Sequence, residues 1–200
     1  MEDTYCTIAA PAEGLYKEKG SKFIALAYPV YSEAEIKEIY AGIKKQYYDA
    51  RHHCYAYVLG ADKSRYRAND DGEPNHSAGD PILGQIRSAD LSNVLVVVIR
   101  YFGGIKLGVS GLIYAYKTAT ADALANATLV EKHETALLQV KFEYLQMNEV
   151  MSLVKEYNLE MRDQQFELSC QLTLEVRKNL QEEVTSKLES IEDVLVQELL

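Results

Sequence analysis

Apolar residues change their spacing along this chain, and each change marks an element. From Gly14 to Val30 the pattern is that of two strands meeting near Lys19-Gly20-Ser21, the second running from Phe23 to Tyr28. Ser32 and Glu35 then make a capping-box pattern, behind which Ile36, Ile39, Tyr40, Ile43 and Tyr47 recur at helical spacing over about four turns. His53 to Leu59 alternates as a strand, with Cys54, Ala56 and Val58 on one face and Tyr55, Tyr57 and Leu59 on the other. Gly60 to Asp80 is rich in Asp, Asn, Gly and Pro and predicts one long irregular loop, longer than most connections. Pro81 to Ala89 predicts a short helix with the proline in its first turn. Val94 to Tyr101 predicts a strand buried on both faces, marked by the continuous apolar run from Val94 to Ile99. Gly103-Gly104, Gly108 and Gly111 lead into a helix to about Ala127, with Leu112, Ala115, Tyr116, Ala119, Ala123 and Leu124 toward the core.

Thr128 to Thr135 reads as a polar connection, after which the pattern starts afresh, so the boundary between two domains, 1–130 and 136–200, falls there. Leu138, Val140 and Phe142 alternate on a strand; Met147, Val150, Met151 and Val154 mark a helix; a strand follows over 159–166. Leu168, Cys170, Leu172, Leu174 and Val176 alternate again, Leu180, Val184, Leu188 and Ile191 mark a helix, and 193–199 ends as a strand. The order is βαββαβ, the ferredoxin-like arrangement. The fold class expected is α+β.

Composition is globular, and Val94 to Ile99, the longest aliphatic run, is far shorter than the ~20 residues of a membrane helix. Met1-Glu2-Asp3-Thr4 lacks the basic-then-apolar pattern of a secretory signal, so a cytoplasmic protein without membrane contact is expected. Cys6, Cys54 and Cys170 are odd in number and have no metal-like spacing, which fits reduced, packed thiols. The net charge of -9 argues at first against nucleic-acid binding, but it is unevenly spread. Residues 1–130 hold 14 Lys and Arg against 15 Asp and Glu, whereas residues 131–200 hold 7 against 15. A basic patch on the first part would be hidden in the total.

Candidate chemistry gathers between Arg65 and Gly111. The segment Phe102-Gly103-Gly104-Ile105-Lys106-Leu107-Gly108-Val109-Ser110-Gly111, placed after a strand and before a helix, offers backbone N–H groups and a helix dipole to an anion, with Arg100 and Lys106 alongside and Ser110 as a helix cap. The same residues also fit a tight turn in which glycine only permits close packing, and the spacing is that of neither a Walker loop nor a GxGxxG fingerprint. Asp70, Asp71 and Glu73 put three carboxylates within four positions, enough to help hold Mg²⁺ or to act as acid and base, or simply to cap a solvated turn. His52 shares a strand face with Cys54 and His53 does not, and no fourth metal ligand is evident, so no metal site is assigned; His76 lies in the acidic loop. Tyr55, Tyr57, Tyr66 and Tyr101 lie near Arg65, Arg67 and Arg100, and aromatics beside guanidinium groups suit bases and phosphates, although most tyrosines are expected to fill the core.

The stretches Ala50 to Tyr57, Asp70 to Pro74, Ala78 to Leu83 and Asn93 to Gly111 resemble the IMPACT/YigZ family, most specifically in Arg100-Tyr101-Phe102-Gly103-Gly104-Ile105-Lys106-Leu107-Gly108. The resemblance implies a first domain like domain 2 of ribosomal protein S5 and a ferredoxin-like second domain similar to one in elongation factor G. It implies also a role in translation, since eukaryotic members regulate it. The chain departs from the family pattern at Ser110 and at Tyr114, where a basic residue is usual and a phosphate clamp is lost, at Asn75-His76 in place of Ser-Gly, and at Asp80.

Three functions follow as expectations. The first is a non-enzymatic, translation-associated protein that binds RNA or the ribosome through Arg65, Arg67, Arg100, Tyr101, Gly103, Gly104, Lys106, Gly108 and Ser110 and needs no cofactor. The second is a Mg²⁺-dependent, phosphate-handling enzyme built on His52, Asp70, Asp71 and Glu73. The third is a module that binds a protein partner.

Overall fold

A computed structural model describes residues 3–167 and 169–199. Leu168, expected on a strand, lies outside the described residues. The chain divides into two compact units, one of them Tyr5–Lys132, the other taking the chain from His133 onwards together with Asp3 and Thr4.

The first unit is built on a five-stranded antiparallel sheet. Its elements are β1 (Thr4–Ile8), β2 (Ala12–Glu18), β3 (Ser21–Pro29), α1 (Glu33–Gln46), β4 (His52–Leu59), β5 (Arg65–Asn69), α2 (Gly79–Ser88), β6 (Val94–Tyr101), α3 (Gly108–Ala125) and β7 (Leu129–His133). The sheet order is β2-β3-β6-β4-β5, while β1 and β7 pair separately. The central strand β6 sends Val94, Val96 and Val98 into the core shared with α2 and α3, and Leu95, Val97 and Ile99 into the core shared with α1. Its unbroken apolar run from Val94 to Ile99 is therefore the direct consequence of being covered on both faces. Each such side chain contributes about 1.5–3 kcal/mol by leaving water.

Helix α1 begins as the capping pattern requires, with Ser32 Oγ accepting from Glu35 N at 3.2 Å. The reciprocal bond is displaced by one residue: Glu35 takes the N–H of Tyr31, at 2.8 Å. Two expected irregular segments are strands instead. Arg65–Asn69 forms β5 at the sheet edge, where one side of the strand faces solvent and charged residues are the usual protection against unwanted pairing. Leu129–His133 forms β7, whose partner β1 had no recognisable alternation of its own.

The second unit comprises β8 (Thr135–Glu143), α4 (Met147–Glu156), β9 (Glu160–Phe166), β10 (Ser169–Arg177), α5 (Gln181–Glu189) and β11 (Leu195–Leu199), with sheet order β11-β8-β10-β9. Leu138, Val140, Phe142, Leu172, Leu174 and Val176 form its core with Val150, Val154, Val184 and Leu188 from the helices. Asp3 joins this unit through Arg177, whose Nε and Nη2 donate to its carboxylate at 3.0 and 2.8 Å. Hydrogen bonds from that guanidinium hold the Asp3 carboxyl below its ordinary value. No helix of the described residues is long and apolar enough to cross a membrane.

Helix α3 lies so close to β2 that a Cβ on Gly14 would come within 2.2 Å of Ala123 N. Gly14→Ala is expected to lower stability by more than about 2 kcal/mol, because the obstacle is backbone. Gly42→Ala, inside α1 with no atom within 4 Å of the new methyl, is expected to add about 0.5–1 kcal/mol. Urea denaturation followed by circular dichroism separates the two outcomes.

Candidate functional site

Between β5 and α2 the acidic loop closes on itself. Asp71 and Gly72 both adopt left-handed backbone, φ 40° and 85°, and Glu73 N donates to Asp70 O at 2.9 Å. Asp70 accepts from Ala78 N and Gly79 N with one carboxylate oxygen, at 3.0 and 2.8 Å, and from His76 N with the other, at 2.9 Å. It therefore caps α2 from eight residues upstream, where Ala78 at the N-cap position has no side chain to do so. Asp71 accepts from His53 N at 2.7 Å, while its carbonyl takes the Nδ1 proton of His52 at 2.8 Å. A carbonyl only accepts, so that contact fixes the proton on Nδ1 of His52. His53 turns the other way, donating from Nε2 to Tyr47 O at 2.9 Å.

Glu73 is the deepest of the three carboxylates. Arg100 Nη1 donates to its Oε1 at 2.6 Å, and the Tyr116 hydroxyl donates to the same oxygen at 2.8 Å. Both charged side chains are less than a tenth exposed. The guanidinium carbon also lies 5.6 Å from the ring centres of Phe23 and Phe102. Arg100 Nε is buried without a hydrogen-bond partner. Cys54 completes the cluster, its thiol donating to Asp70 O at 3.0 Å and lying 3.3 Å from the Tyr116 hydroxyl. Burial pushes both the thiol and the phenol far above their ordinary values.

The glycine turn beyond β6 packs against the β2–β3 turn. Gly103 N donates to Ser21 Oγ at 3.1 Å, and a Cβ on Gly103 would sit 1.9 Å from the carbonyl carbon of Gly20. Gly104 and Gly108 have φ of 91° and 72°. Ser110 does not cap α3: the N-cap residue is Leu107, without a side-chain hydrogen bond, and Ser110 sits inside the first turn. Tyr101 donates to Asp49 at 2.8 Å, and burial with that carboxylate raises its phenol to about 12.

Apart from Tyr101, tied to Asp49, the sequence-predicted residues fall into three groups. His52, Asp70, Asp71, Glu73 and Arg100 come together, joined by Tyr116, Cys54 and Phe23, which sequence reasoning assigned to packing or left aside. Gly103, Gly104, Lys106, Gly108 and Ser110 form an exposed turn next to them. Arg65 and Arg67 are elsewhere. Arg100 pairs in register with His52 and Arg67 with Tyr57, which separates the two arginines by about 17 Å along the strands and about 10 Å across them. The expected single basic surface is therefore corrected: Arg100 is withdrawn into an ion pair, and the exposed cations lie at opposite ends of the sheet. Among the described residues no three His, Cys, Asp or Glu side chains are grouped to hold a metal ion.

Comparison with known proteins follows the same residues. The model of the Impact N-terminal domain matches residues 19–124. The IMPACT family member YvyE of Bacillus subtilis is 35% identical over 156 residues, 78% of this chain and 72% of that protein. The IMPACT family member YigZ of Escherichia coli is 34% identical over 73% of this chain and 72% of its own length. A solved structure described as that of a hypothetical protein superposes with a TM-score of 0.73 at 28% identity, covering 100% of this chain and 98% of the other.

Removing one member of the buried pair leaves an uncompensated charge. Glu73→Gln and Arg100→Met are each expected to cost about 3–5 kcal/mol, and the double variant less than their sum, as urea midpoints will read. Cys54 is expected to resist iodoacetamide at pH 9 in the native protein and to react once urea unfolds it, with mass spectrometry locating the adduct.

Proposed function

This chain belongs to the IMPACT family, and from that premise we propose that it is a non-enzymatic regulator of translation that acts in the cytoplasm by binding the ribosome through RNA contacts. By the same resemblance we read the first unit as like domain 2 of ribosomal protein S5 and the second as ferredoxin-like; the order β11-β8-β10-β9 supports the latter reading. The observation that carries the proposal is the division of charge within the first unit. Asp70, Asp71 and Glu73 direct their oxygens to internal donors, which favours binding over Mg²⁺-dependent chemistry at this loop. Arg65 and Arg67, by contrast, are exposed on the edge strand β5 and have no ion pair among the described residues. Between them Tyr66 is 53% exposed, with the guanidinium of Arg87 4.2 Å from its ring centre.

A sheet edge offers both of its faces to a polynucleotide laid along it. Arg65 and Arg67 neutralise phosphates from one side, and Tyr66 with Arg87 presents a stacking surface on the other. Such a surface needs neither cofactor nor metal.

The full chain is expected to sediment with ribosomes at 50 mM salt and to lose most of that association by 300 mM, an ionic strength at which phosphate contacts weaken steeply, on the order of 10³-fold for several contacts. The Arg65→Ala/Arg67→Ala variant is expected to bind at least about fivefold more weakly, with a salt slope lower by roughly two. Absence of association at low salt, or an unchanged slope in the variant, refutes the proposal.

A further inference from the structure

The opposite end of the first unit's sheet presents a surface of different chemistry. From Leu91 to Ala121 the chain carries no Asp or Glu, in a protein with 30 of them, and Arg100, Lys106 and Lys117 are its only fixed charges. Arg100 is buried, so the exposed charge there is lysine. Within this run the turn exposes Phe102 and Ile105, 49% and 56%, and α3 exposes Val109, Ile113 and Tyr114, 52%, 38% and 60%. Isolated apolar side chains at a surface are ordinary, but five within thirteen positions around one turn and helix start are not.

Their arrangement is specific. Val109, Ile113 and Lys117 follow one another at intervals of four, and Ser110 and Tyr114 make the neighbouring row. Rows at that spacing are the ridges by which one helix packs into the grooves of another. Beside them, Tyr16, Lys19, Leu107, Ser110, Gly111 and Tyr114 line a shallow groove of about 300 Å³. Glu18, the one carboxylate lining that groove, accepts a hydrogen bond from the Tyr16 hydroxyl at 3.0 Å. Lys19 and Lys106 near the start of α3 and Lys117 two turns along it, all exposed, bracket the aliphatic row with positive charge.

We propose that this face docks an amphipathic α-helix of a partner protein, one whose aliphatic stripe is flanked by Asp and Glu. Aliphatic burial against Ile105, Val109 and Ile113 supplies the attraction. Lys106 and Lys117, at either end of the row, select acidic flanks and disfavour basic ones. A polynucleotide is the poorer occupant, because Ile105, Val109 and Ile113 in the middle of the face offer its phosphates no donor and would desolvate them, leaving only neutral hydroxyls such as those of Ser110 and Tyr114 between the lysines. The proposal concerns a surface separate from the β5 edge and stands or falls independently of ribosome binding.

The test is photo-crosslinking with benzoylphenylalanine at Ile113 in the full chain, in lysate of the source organism, with the same group at exposed Lys37 of α1 as control. The expected result is a cross-link unique to position 113 that maps by mass spectrometry to an aliphatic residue on a helix with acidic flanks. It should fall at least fivefold in a chain also carrying Lys106→Glu and Lys117→Glu, and persist after ribonuclease treatment. Val109→Glu, at an exposed position where folding is undisturbed, should abolish it. Cross-links to RNA, to a second copy of the chain or to a basic segment overturn the proposal, as does a yield no greater than at Lys37.

Discussion

The ion pair between Arg100 and Glu73 organises the first unit's surface as well as its interior. Arg100 enters from the end of the central strand and Glu73 from a loop more than twenty residues earlier, so the pair pins the acidic loop to the sheet. Two charges so poorly hydrated are tolerable because Tyr116 adds a second donor to the same carboxylate oxygen and two aromatic rings face the guanidinium. With Glu73 fixed, Asp70 is in place to cap α2 and Asp71 to hold the start of β4. The loop is thus a structural clasp, and its negative charge is spent inward.

That inward use explains how a segment rich in carboxylates lies beside a turn with none. The glycine turn is held by shape: Gly103 fits against Gly20 only without a side chain, and Ser21 takes its N–H. Glycine here serves close approach of two turns, the plainer of the two readings that the sequence allowed. The exposed residues of the turn and of the first turns of α3 are left to define what can approach, and they are apolar side chains, lysines and the hydroxyls of Ser110 and Tyr114, with no carboxylate before Asp122. The basic edge at β5 is a second and separate surface.

Strongly periodic segments were legible in the sequence because one physical cause dominates them. The continuous run of β6, the core positions of α3 and the alternation of β8 and β10 all record burial. β5 and β7 were not legible, since an edge strand is defined by its backbone partner and its side chains remain free to be polar. The site was partly legible. Its residue types and neighbourhood were visible, but the pairing of Arg100 with Glu73 was not, because nothing local distinguishes an arginine that will be buried from one that will meet solvent. Tyr116 had the spacing of a core residue, and only the fold shows its hydroxyl reaching the carboxylate.

The membership of Asp3 in the second unit has a consequence for synthesis. Asp3 and its partner Arg177 are 174 positions apart, and the whole of the first unit lies between them. On a translating ribosome the first unit can close as soon as β7 has emerged, while the segment holding Asp3, made before it, waits for the strands and helices from β8 to β11. Prior folding of the intervening unit shortens that wait in conformational terms, because a compact body replaces a long flexible loop and reduces the entropy lost when its ends are joined. The order of assembly is therefore nested, with the inner module finished before the outer one can begin.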